Sequence, residues 1–179
     1  MNVKIKILNG DITKLTCDVI VNAANKYLVP GGGVDGAIHS VGGAAILEGC
    51  RNYISRYEVL QTGHVMITDS GRLAAKAVIH TVGPRIEGNI TPADEKLLRA
   101  CYLNALELAV EEGYRSIAFP NISTGIYGFP KLEASIYAFD EVFKFLGQCD
   151  FIDCVYFVCH DKENYQFYME LWEAYFERT

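Results

Sequence analysis

Residues 19–39 read VIVNAANKYLVPGGGVDGAIH, and the fold that we predict is built outward from this stretch. The run Val19–Val21 is short, β-branched and followed by a polar residue, as a buried strand is. From Ala37 the apolar pattern becomes that of a helix. The glycine-rich segment 31–36 therefore joins a strand to the N-terminus of a helix.

This loop has the features of an anion-binding site. Residues without a Cβ atom let the backbone approach a ligand closely, and free amides at a helix N-terminus favour a negative charge. Glycine clusters are also common in flexible turns. By itself, the loop leaves both interpretations open.

The glycines at 31, 33 and 36 also match the pattern G-x-G-x-x-G of dinucleotide sites. In such sites the loop follows its strand almost directly, whereas residues 22–30 intervene in this chain, and no acidic residue marks a clear strand end about 20 residues later. No Gly-Lys-Ser/Thr follows the glycines. These observations argue against a Rossmann site and exclude a Walker loop.

The composition indicates a single domain over residues 1–179, because half of the chain is hydrophobic. The net charge is −6, without a cluster of Lys and Arg, so we expect no nucleic-acid partner. No stretch approaches the roughly 18 apolar residues of a membrane span. The six cysteines form no C-x-x-C pair. We therefore expect a cytoplasmic monomer without a membrane partner.

Strand and helix patterns alternate along most of the chain. This order predicts an α/β fold with a largely parallel central sheet, in which ligands bind beyond the carboxyl ends of the strands. A second glycine-rich loop, 123–130, also leads from a strand into a helix, and two such loops suit adjoining phosphates such as a diphosphate. The predicted strands are 3–8, 19–23, 64–68, 77–82, 116–119 and 153–159, and the predicted helices are 34–53, with Gly42-Gly43 as a candidate interruption, 94–112, 130–146 and 164–178.

Two polar residues have competing interpretations at this point. Asp11 follows the first predicted strand, where it is either a ligand-binding residue or an aspartate that caps a turn. His80 lies among the apolar residues of a predicted strand. We interpret it as a hydrogen-bonded imidazole of the core and assign it no functional role.

Four segments, taken in order, resemble a known family, and Thr81–Pro84 fits the same likeness. Together they are similar to a macrodomain of the MacroD type over nearly the whole chain. The resemblance implies a three-layer α/β/α sandwich, with a mixed, largely parallel sheet of about six strands and a cleft for ADP-ribose. The segments are Gly10–Thr13, Val21–Asn25, Gly31–His39 and Ile122–Gly128.

The resemblance also implies a set of binding residues. Asp11 and the amide of Ile12 contact adenine, and the two glycine-rich loops enclose the diphosphate and the distal ribose. His160 lies where relatives often place an aromatic residue that stacks on adenine. The substrate-binding residues implied in this way are Asp11, Ile12, Asn22, Gly31, Gly32, Gly33, Val34, Ser123, Thr124, Gly125, Ile126, Tyr127 and His160.

The activity implied by the resemblance is hydrolysis of an ester between the distal ribose of ADP-ribose and an acyl group. The substrates are mono-ADP-ribosylated Asp or Glu side chains of proteins and O-acetyl-ADP-ribose, and no metal or cofactor is expected. Asp35, with help from the substrate's phosphate, activates water, while Asn25 fixes a ribose hydroxyl. His39, one turn after Asp35, either supports that carboxylate or is a structural histidine. Tyr127 either covers the distal ribose or is a structural tyrosine of the loop.

Two other activities compete with this hypothesis. A non-catalytic module that reads ADP-ribose needs only Asp11 and the two loops, whereas the joint presence of Asn25 and Asp35 favours an enzyme. A nicotinamide oxidoreductase would have to bind NAD(H) and transfer hydride.

Three residues depart from the family pattern. Pro30 stands where a small, flexible residue is expected, and Ser40 stands where a basic residue is common, which removes a charge near the site. His160 offers less stacking area than a larger aromatic ring. These departures concern affinity and acyl preference more than the class of reaction.

Overall fold

The computed structural model describes residues 4–176, in which strands and helices are interleaved along most of the sequence. A short 3-10 turn, Ile12–Lys14, follows the first strand. The strands are β1 (Ile5–Asn9), β2 (Val19–Ala23), β3 (Val65–Asp69), β4 (Ala77–Thr81), β5 (Ser116–Phe119) and β6 (Cys154–Cys159), and the helices are α1 (Gly33–Gly42), α2 (Ala44–Tyr57), α3 (Pro92–Glu111), α4 (Lys131–Gln148) and α5 (Lys162–Phe176).

The predicted helix 34–53 is in fact two helices, α1 and α2, and the break falls at the glycine pair named above. Gly43 has a φ of +82°, a left-handed conformation that favours glycine. A Cβ atom on Gly43 would also lie 2.8 Å from the Arg72 guanidinium. The other predicted elements agree with the structure to within two residues, apart from residue 3 of the first strand and residues 177–178 of the last helix, which lie outside the described residues.

The six strands form one sheet in the order β1-β6-β5-β2-β4-β3. Only the pairing of β3 with β4 is antiparallel, and the other four pairings are parallel. Parallel neighbours require crossover connections, which the intervening helices provide. The mixed, largely parallel sheet predicted from the sequence is confirmed.

The two faces of the sheet are covered by different helices. On β2, Val19 and Val21 point to one face, where they pack in a core with α3, α4 and α5. Ile20 points to the opposite face and packs with Ile38 of α1 and Ile46 of α2. The result is the predicted three-layer α/β/α sandwich. None of the helices within residues 4–176 is long and apolar enough to cross a membrane.

The parallel strands bring five chain segments to one edge of the sheet. Strands β1, β6, β5, β2 and β4 point in the same direction, so the segments that follow them begin close together. Both glycine-rich loops are among these segments. The topology therefore places the two loops and Asp11 around one cleft.

Candidate active site

The cleft at this edge of the sheet has a volume of about 640 Å³, which is within the range of small-molecule sites. Of the site residues predicted from the sequence, all but Asn22 and His39 line it. The lining consists of Gly10–Ile12, Ala23–Asn25, Gly31–Asp35, Ala37, Gly83, Pro120, Asn121, Ser123–Tyr127, Lys131, Val158, His160, Asp161 and Asn164.

The first glycine loop ends in an uncapped helix N-terminus. Helix α1 begins at Gly33, and its N-cap residue, Gly32, offers no side chain to the first amides. These amides have no partner within the helix and are available to an anion. A Cβ atom on Gly36 would lie 2.5 Å from the Gly31 carbonyl oxygen. Glycine at position 36 therefore lets the loop fold back against the first turn of α1.

The second glycine loop lines the cleft and has amides that are not used within the loop. Its internal hydrogen bonds use the amides of Thr124, Gly128 and Phe129, and leave the amides of residues 125–127 outside them. Ser123 has a φ of +66°, an uncommon conformation for a residue with a side chain. Its Oγ atom lies where a Cβ atom on Gly83 would be, which explains the glycine in the segment 81–84.

The Asp35 carboxylate is held by two short hydrogen bonds. Oδ1 accepts a bond from Nδ2 of Asn22 at 2.6 Å, and Oδ2 accepts one from the amide of Gly31, also at 2.6 Å. The residue is only 5% exposed, yet it lines the cleft. Each carboxylate oxygen accepts more than one hydrogen bond. Asp35 can therefore still accept a bond from a water or a ligand.

Asn25 organises the turn between β2 and the glycines. Its Nδ2 atom donates to the Val29 carbonyl at 2.7 Å, and its Oδ1 atom accepts from the amide of Tyr27 at 3.1 Å. A Cβ atom on Gly31 would lie 3.2 Å from Oδ2 of Asp35 and 3.8 Å from Nδ2 of Asn25. The two side chains thus flank Gly31 at the same end of the cleft.

Asn22 and His39 lie behind Asp35 rather than in the cleft. The sequence predicts that Asn22 contacts substrate, but in the structure it is fully buried and binds Asp35 instead. The reason is its place within β2, where the alternation of side chains turns it toward the face that α1 covers. The Nε2 atom of His39 lies 3.5 Å from Oδ1 of Asp35, so this histidine is placed to support the carboxylate.

Asp11, which follows β1, caps the turn after that strand and also lines the cleft. Its Oδ1 atom accepts hydrogen bonds from the amide of Thr13 at 2.9 Å and from the Thr13 hydroxyl at 2.7 Å, which caps the 3-10 turn. The bond from this hydroxyl lowers the pKa of Asp11, against an opposing effect of desolvation. Asp11 and His160 both line the cleft.

Sequence reasoning missed a polar group where α5 begins. Asp161 accepts a bond from the buried side chain of Asn164 at 2.8 Å and pairs with Lys131 at 3.4 Å. All three residues line the cleft. Asp161 follows the end of β6, which is the only signal in the sequence, and the approach of Lys131 depends on how the helices pack.

The structure shows the surroundings of two residues that depart from the family pattern, Pro30 and Ser40. Pro30 is exposed and does not line the cleft. At Ser40, where the sequence lacks a basic residue, Arg72 donates to the Ser40 carbonyl at 3.4 Å. A positive charge therefore reaches the C-terminal end of α1 from another segment.

Comparisons with known proteins agree with this geometry. The family model for the Macro domain matches residues 21–138. An O-acetyl-ADP-ribose deacetylase of Cronobacter sakazakii is 48% identical over 99% of this chain and 98% of the relative, and one of Escherichia coli is 47% identical over 96% of each.

Solved structures are similar over the same length. A macrodomain of Oceanobacillus iheyensis with ADP has a TM-score of 0.90 and 43% identity, covering 98% of this chain and 93% of that one. A Trypanosoma brucei macrodomain in complex with ADP-ribose has a TM-score of 0.85 and 40% identity, covering 94% of this chain and 68% of that one.

Proposed function

This chain belongs to the macrodomain family, and on that premise we propose that it hydrolyses the ester between the distal ribose of ADP-ribose and an acyl group. The substrates are O-acetyl-ADP-ribose and proteins with mono-ADP-ribosylated Asp or Glu side chains. The observation that carries the proposal is the placement of Asn25 and Asp35 next to Gly31, in a cleft that both glycine loops line.

In the proposed reaction, Asp35 accepts a proton from a water molecule as the water oxygen bonds to the acyl carbonyl carbon, and the substrate's phosphate assists. The bond from this carbon to the ribose oxygen then breaks, and the proton passes to that oxygen. The products are ADP-ribose and a carboxylic acid. General-base help of this kind is worth roughly 10²–10⁴ in rate.

Other residues of the cleft position the substrate. The amides of the two glycine loops bind the diphosphate, and Asn25 fixes a hydroxyl of the distal ribose. Tyr127, which is half-buried in the cleft lining, covers this ribose and limits the entry of water. Asp11 and His160 bind the adenine end.

A reader of ADP-ribose without catalysis is the alternative, and one observation favours it. Both oxygens of Asp35 already accept short hydrogen bonds from the protein itself. One of these bonds holds Gly31, so Asp35 would also be needed to shape the binding loop of a protein that only binds ADP-ribose.

The deciding experiment compares the native protein with Asp35→Ala. Acetate release from O-acetyl-ADP-ribose and ADP-ribose release from a glutamate-modified protein report turnover, and calorimetry with ADP-ribose reports binding. We expect Asp35→Ala to lose at least about 100-fold in kcat while still binding ADP-ribose. Asp153→Ala, an equal change of charge at an exposed residue before β6, is the matched control and should retain both.

A native protein that binds ADP-ribose but hydrolyses neither substrate would be a reader. An Asp35→Ala variant with native turnover would leave the hydrolase proposal in place and remove the role of this carboxylate.

A further inference from the structure

A chain of buried side chains connects the far edge of the sheet to the candidate catalytic carboxylate. The Oγ1 atom of Thr68 in β3 lies 2.9 Å from Nε2 of His80 in β4. Nδ1 of the same ring lies 3.1 Å from Nδ2 of Asn22 in β2, which bonds to Asp35 at 2.6 Å. Asn22 and His80 are register partners of adjacent strands, so the sheet itself sets their separation.

The chemistry of these groups allows only one arrangement of hydrogens when the ring is neutral. The Asn22 amide must direct Nδ2 toward Asp35, because a flipped amide would place its oxygen against a carboxylate oxygen. Nδ2 can only donate, so Nδ1 of His80 accepts its second hydrogen. The proton of the ring is then on Nε2 and is donated to Thr68, whose hydroxyl donates to the Asp69 carbonyl at 3.0 Å.

Each hydrogen in this series is therefore committed to one acceptor: Asn22 donates to Asp35 and to His80, His80 donates to Thr68, and Thr68 donates to the Asp69 carbonyl. We propose that His80, acting through Asn22, is a positioning residue that holds the Asp35 carboxylate in its orientation. The catalytic part of this inference rests on the proposed function, because it treats Asp35 as the group that acts on water.

Because these side chains are buried, the orientation of Asp35 depends on the hydrogen bonds that connect them. Asn22 and His80 are fully buried, and Thr68 is 6% exposed, so solvent cannot replace a lost partner. Burial lowers the pKa of His80 to about 3, and the neighbouring His39 adds to this effect. The ring stays neutral near neutral pH, and its Nδ1 atom remains an acceptor for Asn22.

Within residues 4–176, Nδ2 of Asn22 has two hydrogen-bond partners, Asp35 and His80. The remaining groups that face the ring are the Cys50 thiol, 4.0 Å from Nε2, and His39, whose ring centre is 6.3 Å away. Without His80, one hydrogen of the Asn22 amide loses its partner, and the amide is free to turn away from Asp35.

Three variants break the chain at different points. His80→Leu removes the acceptor for Asn22, and His80→Asn restores an amide oxygen near the position of Nδ1. Thr68→Val is nearly isosteric and removes only the distant end of the chain. The matched control is Thr81→Val, since Thr81 is also fully buried but donates its hydroxyl to the His64 carbonyl, outside the chain.

The position of Asp35 can be followed without an activity assay, because its Oδ2 atom accepts a hydrogen bond from the Gly31 amide. We expect His80→Leu to move the Gly31 amide proton upfield in the NMR spectrum and to lower kcat by about 10-fold, the factor for one unpaired buried donor. The Kd for ADP-ribose should stay within about threefold. His80→Asn should recover part of the loss, Thr68→Val should give a smaller loss, and Thr81→Val should change neither readout.

The outcomes separate the two proposals. If His80→Leu and Thr68→Val, folded as judged by their spectra, keep the native Gly31 resonance and kcat, the positioning role is wrong while the hydrolase proposal stands. If the native protein hydrolyses neither substrate, the hydrolase proposal is wrong, and an unmoved Gly31 resonance in the variants would overturn the positioning role as well.

Discussion

At the scale of single residues, replacing Gly36 by alanine tests whether the first glycine loop must pack closely against α1 to bind its ligand. Alanine has the better helix propensity, by about 1 kcal/mol. At this position, however, its Cβ atom would lie 2.5 Å from the Gly31 carbonyl oxygen. Such overpacking typically costs about 1–3 kcal/mol. We expect Gly36→Ala to lower the free energy of unfolding by about 1 kcal/mol and to weaken ADP-ribose binding by about 10-fold in calorimetry.

Gly147→Ala is the control for helix propensity. Gly147 also lies in a helix, α4, but a Cβ atom there would meet nothing within 4 Å. This variant should bind ADP-ribose as the native protein does and should be equally or more stable. Native affinity in Gly36→Ala would show that the loop yields to the methyl group without moving its amides.

The residues around Asp35 also show the limits of prediction from sequence. Both glycine loops could be recognised from their local strand-to-helix pattern, whereas the roles of Asn25 and Asp35 were implied by the family resemblance and stay predictions. The sequence predicted substrate contact for Asn22 and no role for His80. Their actual contact depends on the register between β2 and β4, and the two residues are 58 positions apart in the sequence, so no local pattern links them.

At the scale of secondary-structure elements, the N-terminus of α3 should contribute stability without affecting the site. Thr91 and Asp94 form a reciprocal capping box, with the Thr91 amide donating to Oδ2 of Asp94 at 2.8 Å. Loss of such a cap costs about 1 kcal/mol. We expect Thr91→Ala to lower the urea-derived free energy of unfolding by about 1 kcal/mol and the Tm by about 2–4 °C, with native kcat.

The control for this variant is Ser55→Ala in α2, which also removes an exposed hydroxyl. Ser55 lies inside its helix, where alanine has the better propensity, so its stability should not fall. Equal stability of Thr91→Ala and Ser55→Ala would mean that water replaces the capping hydroxyl at no cost.

The elements themselves were largely predictable, whereas their arrangement was not. Short, mostly apolar runs identified β2 and β5 to the residue, and the N-terminal cap of α3 was visible in Thr91-Pro92. The break between α1 and α2 was only a candidate, because adjacent glycines also occur within helices. The strand order and the antiparallel edge strand β3 follow from long-range pairing, which a local apolar pattern does not encode.

At the scale of the whole molecule, the buried chain behind the cleft couples global stability to pH. The pKa of His80 is about 3 in the folded protein, against 6.5 for an ordinary histidine. Between these values the unfolded chain binds a proton that the folded protein does not. The contribution of His80 to the free energy of unfolding is therefore fully present above about pH 6.5. It falls as the pH is lowered, by up to about 1.4 kcal/mol per pH unit.

Replacing His80 by leucine removes this proton uptake. We expect the free energy of unfolding of native protein, measured with urea between about pH 7 and pH 4.5, to fall more steeply than that of His80→Leu. The variant should be less stable at pH 7, because Asn22 loses its acceptor, and the gap should narrow on acidification. Carboxyl groups with a lowered pKa, such as Asp18 and Asp161, lose their contribution mainly at lower pH and do so in both proteins.

The control is Thr81→Val, which damages the same strand without removing a titrating group. Its stability curve should run parallel to that of the native protein, displaced downward. Parallel curves for native protein and His80→Leu would show that His80 does not resist protonation in the folded state. A narrowing gap would instead show that His80 takes up a proton when the protein unfolds, so that acid destabilises the fold at the residue that serves as the acceptor for Asn22.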